Sequence, residues 1–201
     1  MTTVHDLLNL LVLEKVDHCK FNGVSKTIGS PVVFGGQVLA QAINAASRTI
    51  NNNRVLHSLH AYFLEAGDLN NPITYTVGVI RDGGSFSVRR VTANQNDNTI
   101  FILAASFHKE EEGYNHQIEM KADLKQPEDL LSWTDMLKNW GDVLPKNSKA
   151  FFEIERPIEF KPTEFVNPFD RKNLPAFSNV WFKLKGDVKN LDKGTKQQIL
   201  T

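Results

Sequence analysis

The sequence predicts an α+β fold in which a long antiparallel sheet wraps around one central helix. An Ala-rich, apolar run follows Gly35 and Gly36 and continues to Ile50, which indicates a helix covered by other structure on most sides. Four long segments with alternating apolar residues come next, and turn sequences separate them. A helix lying along the concave face of a curved sheet satisfies both patterns. This arrangement is the hotdog architecture.

The four strands are expected from their alternation and from the turns between them. Asp82-Gly83-Gly84 and Asp97-Asn98 supply two hairpin turns. Before the central helix, a run of leucines around Leu7 shares one helical face, which predicts a short amphipathic helix packed on the domain. The predicted strands cover Val55–Leu64, Ile73–Arg81, Ser85–Gln95 and Thr99–Lys109.

Composition changes near residue 110, where the polar stretch Glu110–Gly113 is typical of a linker. We therefore expect three parts: a complete hotdog unit over 1–110, a linker over 111–150, and the start of a second hotdog unit over 151–201. The linker should hold a helix over Asp129–Trp140. The last part should contain strands within Phe151–Phe165, interrupted by Pro157 and Pro162, another strand over Asn179–Leu184, and the beginning of a helix over Asp187–Thr201.

The charge balance limits the classes of partner. The 201 residues carry 23 Lys and Arg against 23 Asp and Glu, so the formal net charge is zero. Bulk electrostatic attraction to nucleic acid or to an anionic membrane is not expected. The apolar run from Leu7 to Leu13 is far shorter than the roughly 20 residues that span a bilayer. The single cysteine, Cys19, excludes an intrachain disulfide and fits a reducing, cytoplasmic compartment.

Several segments, in one order, resemble the acyl-CoA thioesterase II family over almost the whole chain. They are Val33–Val38, Leu56–Leu64, Arg81–Val91, Ala104–His108 and Phe165–Pro168. The resemblance implies a tandem double-hotdog protein that hydrolyses fatty acyl-CoA to a free acid and coenzyme A, with no cofactor and no metal. It assigns catalysis to an aspartate, a threonine and a glutamine in the second unit. The first of these corresponds to a point just beyond Thr201, so this sequence has no matched catalytic position.

Two groups of residues are candidates for contact with an acyl-CoA. Gly35, Gly36 and Gln37 could place main-chain donors at the start of the central helix, or could simply form a tight turn. His57 could be a polar group near the thioester and a weak catalytic candidate, or a hydrogen-bonded strand histidine. His57 and His60 are three apart in a strand, so we expect them on opposite faces.

Arginines are a further candidate group, because arginine recognises phosphates well and coenzyme A carries several phosphates. Arg81, Arg89 and Arg90 cluster around one predicted hairpin. A solvated basic strand face is the alternative. Arg89 and Arg90 are consecutive in a strand, so they cannot both face one groove.

Two other functions stay open at this point. The chain could be a catalytically incomplete family member that folds and binds acyl-CoA, or assembles with other chains, without turnover. It could also carry another hotdog activity such as hydration of enoyl-CoA, although the expected Asp/His pair is not recognisable. Exposed sheet edges would favour homo-oligomers.

Overall fold

The computed structural model describes residues 2–51, 53–120, 123–142, 149, 153–164, 177–186, 188 and 190–200. The chain divides into two compact units. The first contains His5–Gly113 and Val188–Thr201, and the second contains Tyr114–Asp187 together with Thr2–Val4.

The first unit is built on a six-stranded sheet in which every neighbouring pair is antiparallel. Its strands lie in the order β1-β2-β4-β5-β6-β3, so β1 and β3 form the two edges. The bounds are β1 (Glu14–Asp17), β2 (Lys20–Gly23), β3 (Arg54–Phe63), β4 (Ile73–Asp82), β5 (Phe86–Gln95) and β6 (Asn98–Lys109). The four long strands predicted from alternation are β3 to β6, and each begins and ends within one residue of its expected bounds.

Two helices precede β3: α1 (Val4–Leu10) and α2 (Gly35–Ser47). Helix α2 packs against strands β2 to β6 and forms the centre of the core. Its alanines Ala42, Ala45 and Ala46 are fully buried, and these short side chains allow the sheet to approach the helix axis closely. We call the sheet face that α2 covers the inner face and the opposite face the outer face.

The second hairpin turn lies one residue earlier than the sequence predicts. Asn96 and Asp97 have φ values of 48° and 67°, while Asn98 already belongs to β6. Two consecutive left-handed residues give the turn the twist that suits a tight hairpin, and Asn and Asp adopt this conformation more readily than other non-glycine residues. The predicted Asp97-Asn98 turn was therefore wrong by one position.

The second unit contains a 3-10 turn (Pro127–Asp129), helix α3 (Trp133–Trp140) and the antiparallel strands β7 (Ile158–Pro162) and β8 (Val180–Leu184). Helix α3 begins later than the predicted residue 129 because Ser132 caps it. The Ser132 hydroxyl accepts from the Asp135 amide, and the Asp135 carboxylate accepts from the Ser132 amide. This reciprocal capping fixes the first turn. The ring of Trp133 stacks on Phe160 of β7, with 4.6 Å between ring centroids.

The last helix, α4, covers Lys193–Leu200 and packs within the first unit, against α2 and β3. The sequence assigned residues 151–201 together to a second unit. That division stays a prediction. The helix at its end, however, groups with the first unit, because it contacts α2 and β3. The matched segment Phe165–Pro168 and the ends of the predicted strand region, residues 151, 152 and 165, lie outside the described residues.

Candidate functional site

The start of α2 brings main-chain amides close to aromatic rings. A Cβ atom added at Gly35 would lie 2.9 Å from a carbon of the Phe63 ring, and one added at Gly36 would lie 2.5 Å from the Phe34 ring. Both distances are far inside van der Waals contact. A side chain at either glycine would displace a phenylalanine ring that is about half exposed, which is consistent with the tight-turn alternative. The glycine amides still lie in the first turn of a helix, where main-chain N–H groups can bind an anion or a carbonyl.

The side chain of Gln37 is used inside the fold. It is 4% exposed. Its Oε1 atom accepts from the Lys26 amide at 3.2 Å, and its Nε2 atom donates to the Val24 carbonyl at 3.4 Å. Gln37 thus ties the segment after β2 to α2, and a substrate contact would have to come from its main chain.

His57 lies on the outer face, away from α2. The register between β3 and β6 shifts between Leu56 and Ser58, so His57 is the extra residue of a β-bulge. Its ring centroid lies 5.5 Å from that of Phe86 and 5.9 Å from that of His108, and both partners project from the outer face by their register. His60, which pairs with Ala104, shares that face. The prediction that His57 and His60 face opposite sides was wrong, because a bulge breaks the alternation of a strand.

Arg89 points inward and is 1% exposed. Its Nη2 atom lies 2.8 and 3.1 Å from the two carboxylate oxygens of Asp82. Its Nε and Nη2 atoms also donate to the hydroxyl and carbonyl of Thr49, both at 2.9 Å, and Nη1 donates to the carbonyls of Arg81 and Val88. The guanidinium joins the end of α2 to the β4–β5 hairpin. These bonds give it a structural task rather than the predicted phosphate contact.

Arg81 and Arg90 are exposed and lie on the outer face by register. Arg81 pairs with Val88, and Arg90 pairs with Gly78 and Ala104. The expectation that Arg89 and Arg90 face different sides is confirmed. Of the seven predicted site residues, His57, Arg81 and Arg90 share the outer face, whereas Gly35, Gly36, Gln37 and Arg89 lie on the side of α2. The structure does not bring them into one group.

Sequence reasoning missed the polar partners that hold this framework. Asp82 accepts from the Ser87 hydroxyl at 2.6 Å, and this bond together with Arg89 holds the pKa of Asp82 below its usual value. Arg54 bonds the same Ser87 hydroxyl and the carbonyls of Gly83 and Gly84. The alternation of β5 was a usable signal, because it places Arg89 on the face that carries Val91 and Ala93.

A second buried pair lies deeper in the core. The Tyr75 hydroxyl donates to Gln41 Oε1 at 2.7 Å, and both side chains are fully buried. Burial raises the pKa of the Tyr75 phenol well above its usual value. Gln41 Nε2 donates to the carbonyls of Leu10 and Val24, so one side chain connects α1, β4 and the segment after β2.

Within the part of the chain that the structure describes, no three His, Cys, Asp or Glu side chains are grouped as metal ligands. None of the helices over these residues has the length and apolarity needed to cross a bilayer.

Residues 23–108 match the family model described as the acyl-CoA thioesterase N-terminal domain. The matched range runs from the end of β2 nearly to the end of β6, so it contains α2 and all four long strands. The resemblance noted for the sequence segments of the first unit is confirmed by this match.

Relatives extend the similarity beyond this domain. The chain is 42% identical over 185 residues to "Acyl-CoA thioesterase 2" of Haemophilus influenzae, covering 92% of this chain and 64% of that protein. It also resembles the solved acyl-CoA thioesterase II of Mycobacterium marinum, with a TM-score of 0.70, 29% identity, and coverage of 97% of this chain and 64% of that one. The chain thus spans slightly less than two thirds of these relatives.

The predicted hotdog architecture is confirmed by structural similarity. A protein of unknown function with a hot dog fold from Alicyclobacillus acidocaldarius superposes with a TM-score of 0.71. The match covers 91% of this chain and 64% of that protein at 16% identity. This similarity therefore supports the fold alone.

Proposed function

We propose that this chain belongs to an acyl-CoA hydrolase, which converts fatty acyl-CoA to a free fatty acid and coenzyme A by attack of water on the thioester carbonyl. The observation that carries the proposal is the acyl-CoA thioesterase domain over residues 23–108, supported by 42% identity to a protein named as an acyl-CoA thioesterase. The work of the protein would then lie in lipid metabolism in the cytoplasm.

The start of α2 is the best candidate in the first unit for contact with the thioester. The first amides of a helix lack intrahelical acceptors and point out of its N-terminal end. An N–H group aimed there can stabilise the negative charge that develops on a carbonyl oxygen under attack. The main-chain amides of Gly35 and Gly36 would make this contact, because the Gln37 amide already donates to the Phe34 carbonyl at 3.0 Å.

The exposed arginines are proposed to contact phosphates. Arg81 and Arg90 keep their guanidinium groups on the outer face, whereas Arg89 is held by Asp82 and Thr49. A phosphate contact is electrostatic, so it should weaken as salt increases. Replacing Arg90 by alanine should therefore raise the KM for acyl-CoA more at low salt than at high salt.

The alternative is a chain that binds acyl-CoA, or assembles with other copies, without turnover. It is favoured by the buried side chains of Arg89, Gln41 and Gln95, which are engaged in hydrogen bonds within the first unit. Assembly would use an exposed edge such as β3, whose aromatic residues Tyr62 and Phe63 are more than half exposed.

The test is a thiol-release assay with acyl-CoAs of several chain lengths, run beside a direct binding measurement on the same protein. Turnover that saturates with substrate supports hydrolysis. Binding without thiol release supports the alternative. A folded protein that neither binds nor hydrolyses any acyl-CoA would refute both. A separate assay with enoyl-CoA checks hydration, and formation of a hydrated product would favour that activity over hydrolysis.

A further inference from the structure

The side chain of Gln197 connects helix α4 to the edge strand β3 by two hydrogen bonds. Gln197 Oε1 accepts from the Leu56 amide at 3.2 Å, and Gln197 Nε2 donates to the Leu56 carbonyl at 3.1 Å. A carboxamide carries the same donor and acceptor as a peptide group. Gln197 therefore makes with Leu56 the pair of bonds that a residue of a neighbouring strand would make.

Leu56 is an informative place for such a bond. It lies immediately before the β-bulge at His57, in a strand that has a neighbour on one side only. The outward N–H and C=O groups of an edge strand are open to pairing with another strand. The Gln197 amide occupies these two groups at Leu56, so at this position they are not open to another strand.

A second contact fixes the rotation of α4. Asn44 Nδ2 of α2 donates to Gln198 Oε1 at 2.9 Å, and Gln198 is 7% exposed. Successive helix residues differ by about 100° in direction and 1.5 Å in height. Gln197 and Gln198 thus reach two different elements, and moving α4 along its axis by one residue would break both sets of bonds.

Helix α4 is short, so its placement depends on tertiary contacts. It has eight residues, including Gly194, and helices of this length are marginal in isolation. Lys193 also forms an ion pair with Glu110, but both side chains are largely exposed, and exposed pairs contribute little. The carboxamide contacts are the ones that specify register.

We propose that Gln197 sets the register of α4 on β3. Its paired bonds to Leu56, together with the Gln198 contact to Asn44, favour one placement of the helix on the first unit.

Hydrogen exchange at the Leu56 amide tests the contact directly. Gln197→Ala removes both bonds, and Leu56 exchange should accelerate about tenfold or more. Gln197→Glu keeps an acceptor for the Leu56 amide but loses the donor to its carbonyl, so it should fall between wild type and alanine. Lys196→Ala, an exposed neighbour on the same helix, is the matched control and should leave exchange unchanged.

The Val91 amide in the centre of the sheet reports whether the unit stays folded, and it should exchange at the wild-type rate in every variant. Unchanged Leu56 exchange in Gln197→Ala, or equal acceleration in Lys196→Ala, would overturn the proposal. The exchange measurement needs no substrate, so its outcome decides the register of α4 independently of the proposed function.

Discussion

Removing the carboxylate of Asp82 should destabilise the first unit more than its exposed position suggests. Asp82 is 53% exposed, but its partner Arg89 is 1% exposed. In Asp82→Ala, the Arg89 charge stays buried without a counter-ion. The cost is set by the partner that remains rather than by the side chain that is removed.

The size of the effect depends on the hydrogen bonds that Arg89 keeps. Breaking a buried ion pair by removing one partner costs about 3–5 kcal/mol. Arg89 still donates to the carbonyls of Thr49, Arg81 and Val88, which partly solvate its charge. We therefore expect the lower end, about 3 kcal/mol in the free energy of unfolding. Asp82→Asn should cost less, because an amide oxygen can still accept from Arg89 and from Ser87.

The assay must report on the first unit alone. The three tryptophans, Trp133, Trp140 and Trp181, all belong to the second unit, so their fluorescence follows that unit. Far-UV circular dichroism follows the long strands of the first unit. Denaturant unfolding should show a loss in circular dichroism at lower denaturant in Asp82→Ala, with an unchanged tryptophan transition. Glu65→Ala, which removes an exposed carboxylate, is the control for loss of charge.

The pH dependence gives a second measurement. The pKa of Asp82 is lowered from its usual 3.8, chiefly by the Ser87 hydroxyl and by Arg89. The unfolded chain binds the proton more readily, so this carboxylate contributes stability that is present above pH 3.8 and is lost as the pH falls through the lower folded value. The difference between wild type and Asp82→Ala should shrink below pH 3.8. A difference under 1 kcal/mol at neutral pH, or one that grows in acid, would refute the reasoning.

Two core substitutions test the Gln41 junction. Tyr75→Phe leaves the buried Gln41 Oε1 without the hydroxyl donor it has at 2.7 Å, so it should cost about 1–3 kcal/mol by denaturant unfolding, whereas Tyr62→Phe, on an exposed ring, should be neutral. Gly23→Ala places a Cβ 2.8 Å from Gln41 Oε1 and should lower the free energy of unfolding by about 1–3 kcal/mol. Gly84→Ala is the control, because a Cβ there has no heavy atom within 4 Å. Equal losses of stability in the two glycine variants would contradict the packing argument.

The strands and the central helix were predictable because their patterns are local. The alternation in β4 to β6 places Tyr75, Val91 and Leu103 on one face, and a buried face strongly specifies register. The Ala-rich run of α2 likewise reads directly as a helix covered by a sheet. Each of these signals lies within one element and needs no knowledge of its neighbours.

The wrong and missing predictions involve partners that are distant in sequence. The bulge at His57 exists in the register of β3 against β6, which follows it only after β4 and β5 in the chain, so alternation within β3 could not reveal it. Gln197 bonds Leu56, 141 residues away. The wrong start predicted for α3 has a different origin. Ser132 and Asp135 form a local capping pair, so the signal was present in the sequence, but the prediction began the helix at Asp129 from its apolar spacing.

Three buried polar side chains of the first unit are held by hydrogen bonds within the fold. Arg89 is bonded to Asp82 and Thr49, Gln41 to Tyr75 and two carbonyls, and Gln95 to the main chain of Asp68 and Asn71. Side chains held in this way are poorly suited to activate water, because a general base needs a free lone pair near the reacting proton. The substrate contacts proposed for the first unit therefore fall to its main-chain amides and exposed arginines rather than to these buried side chains.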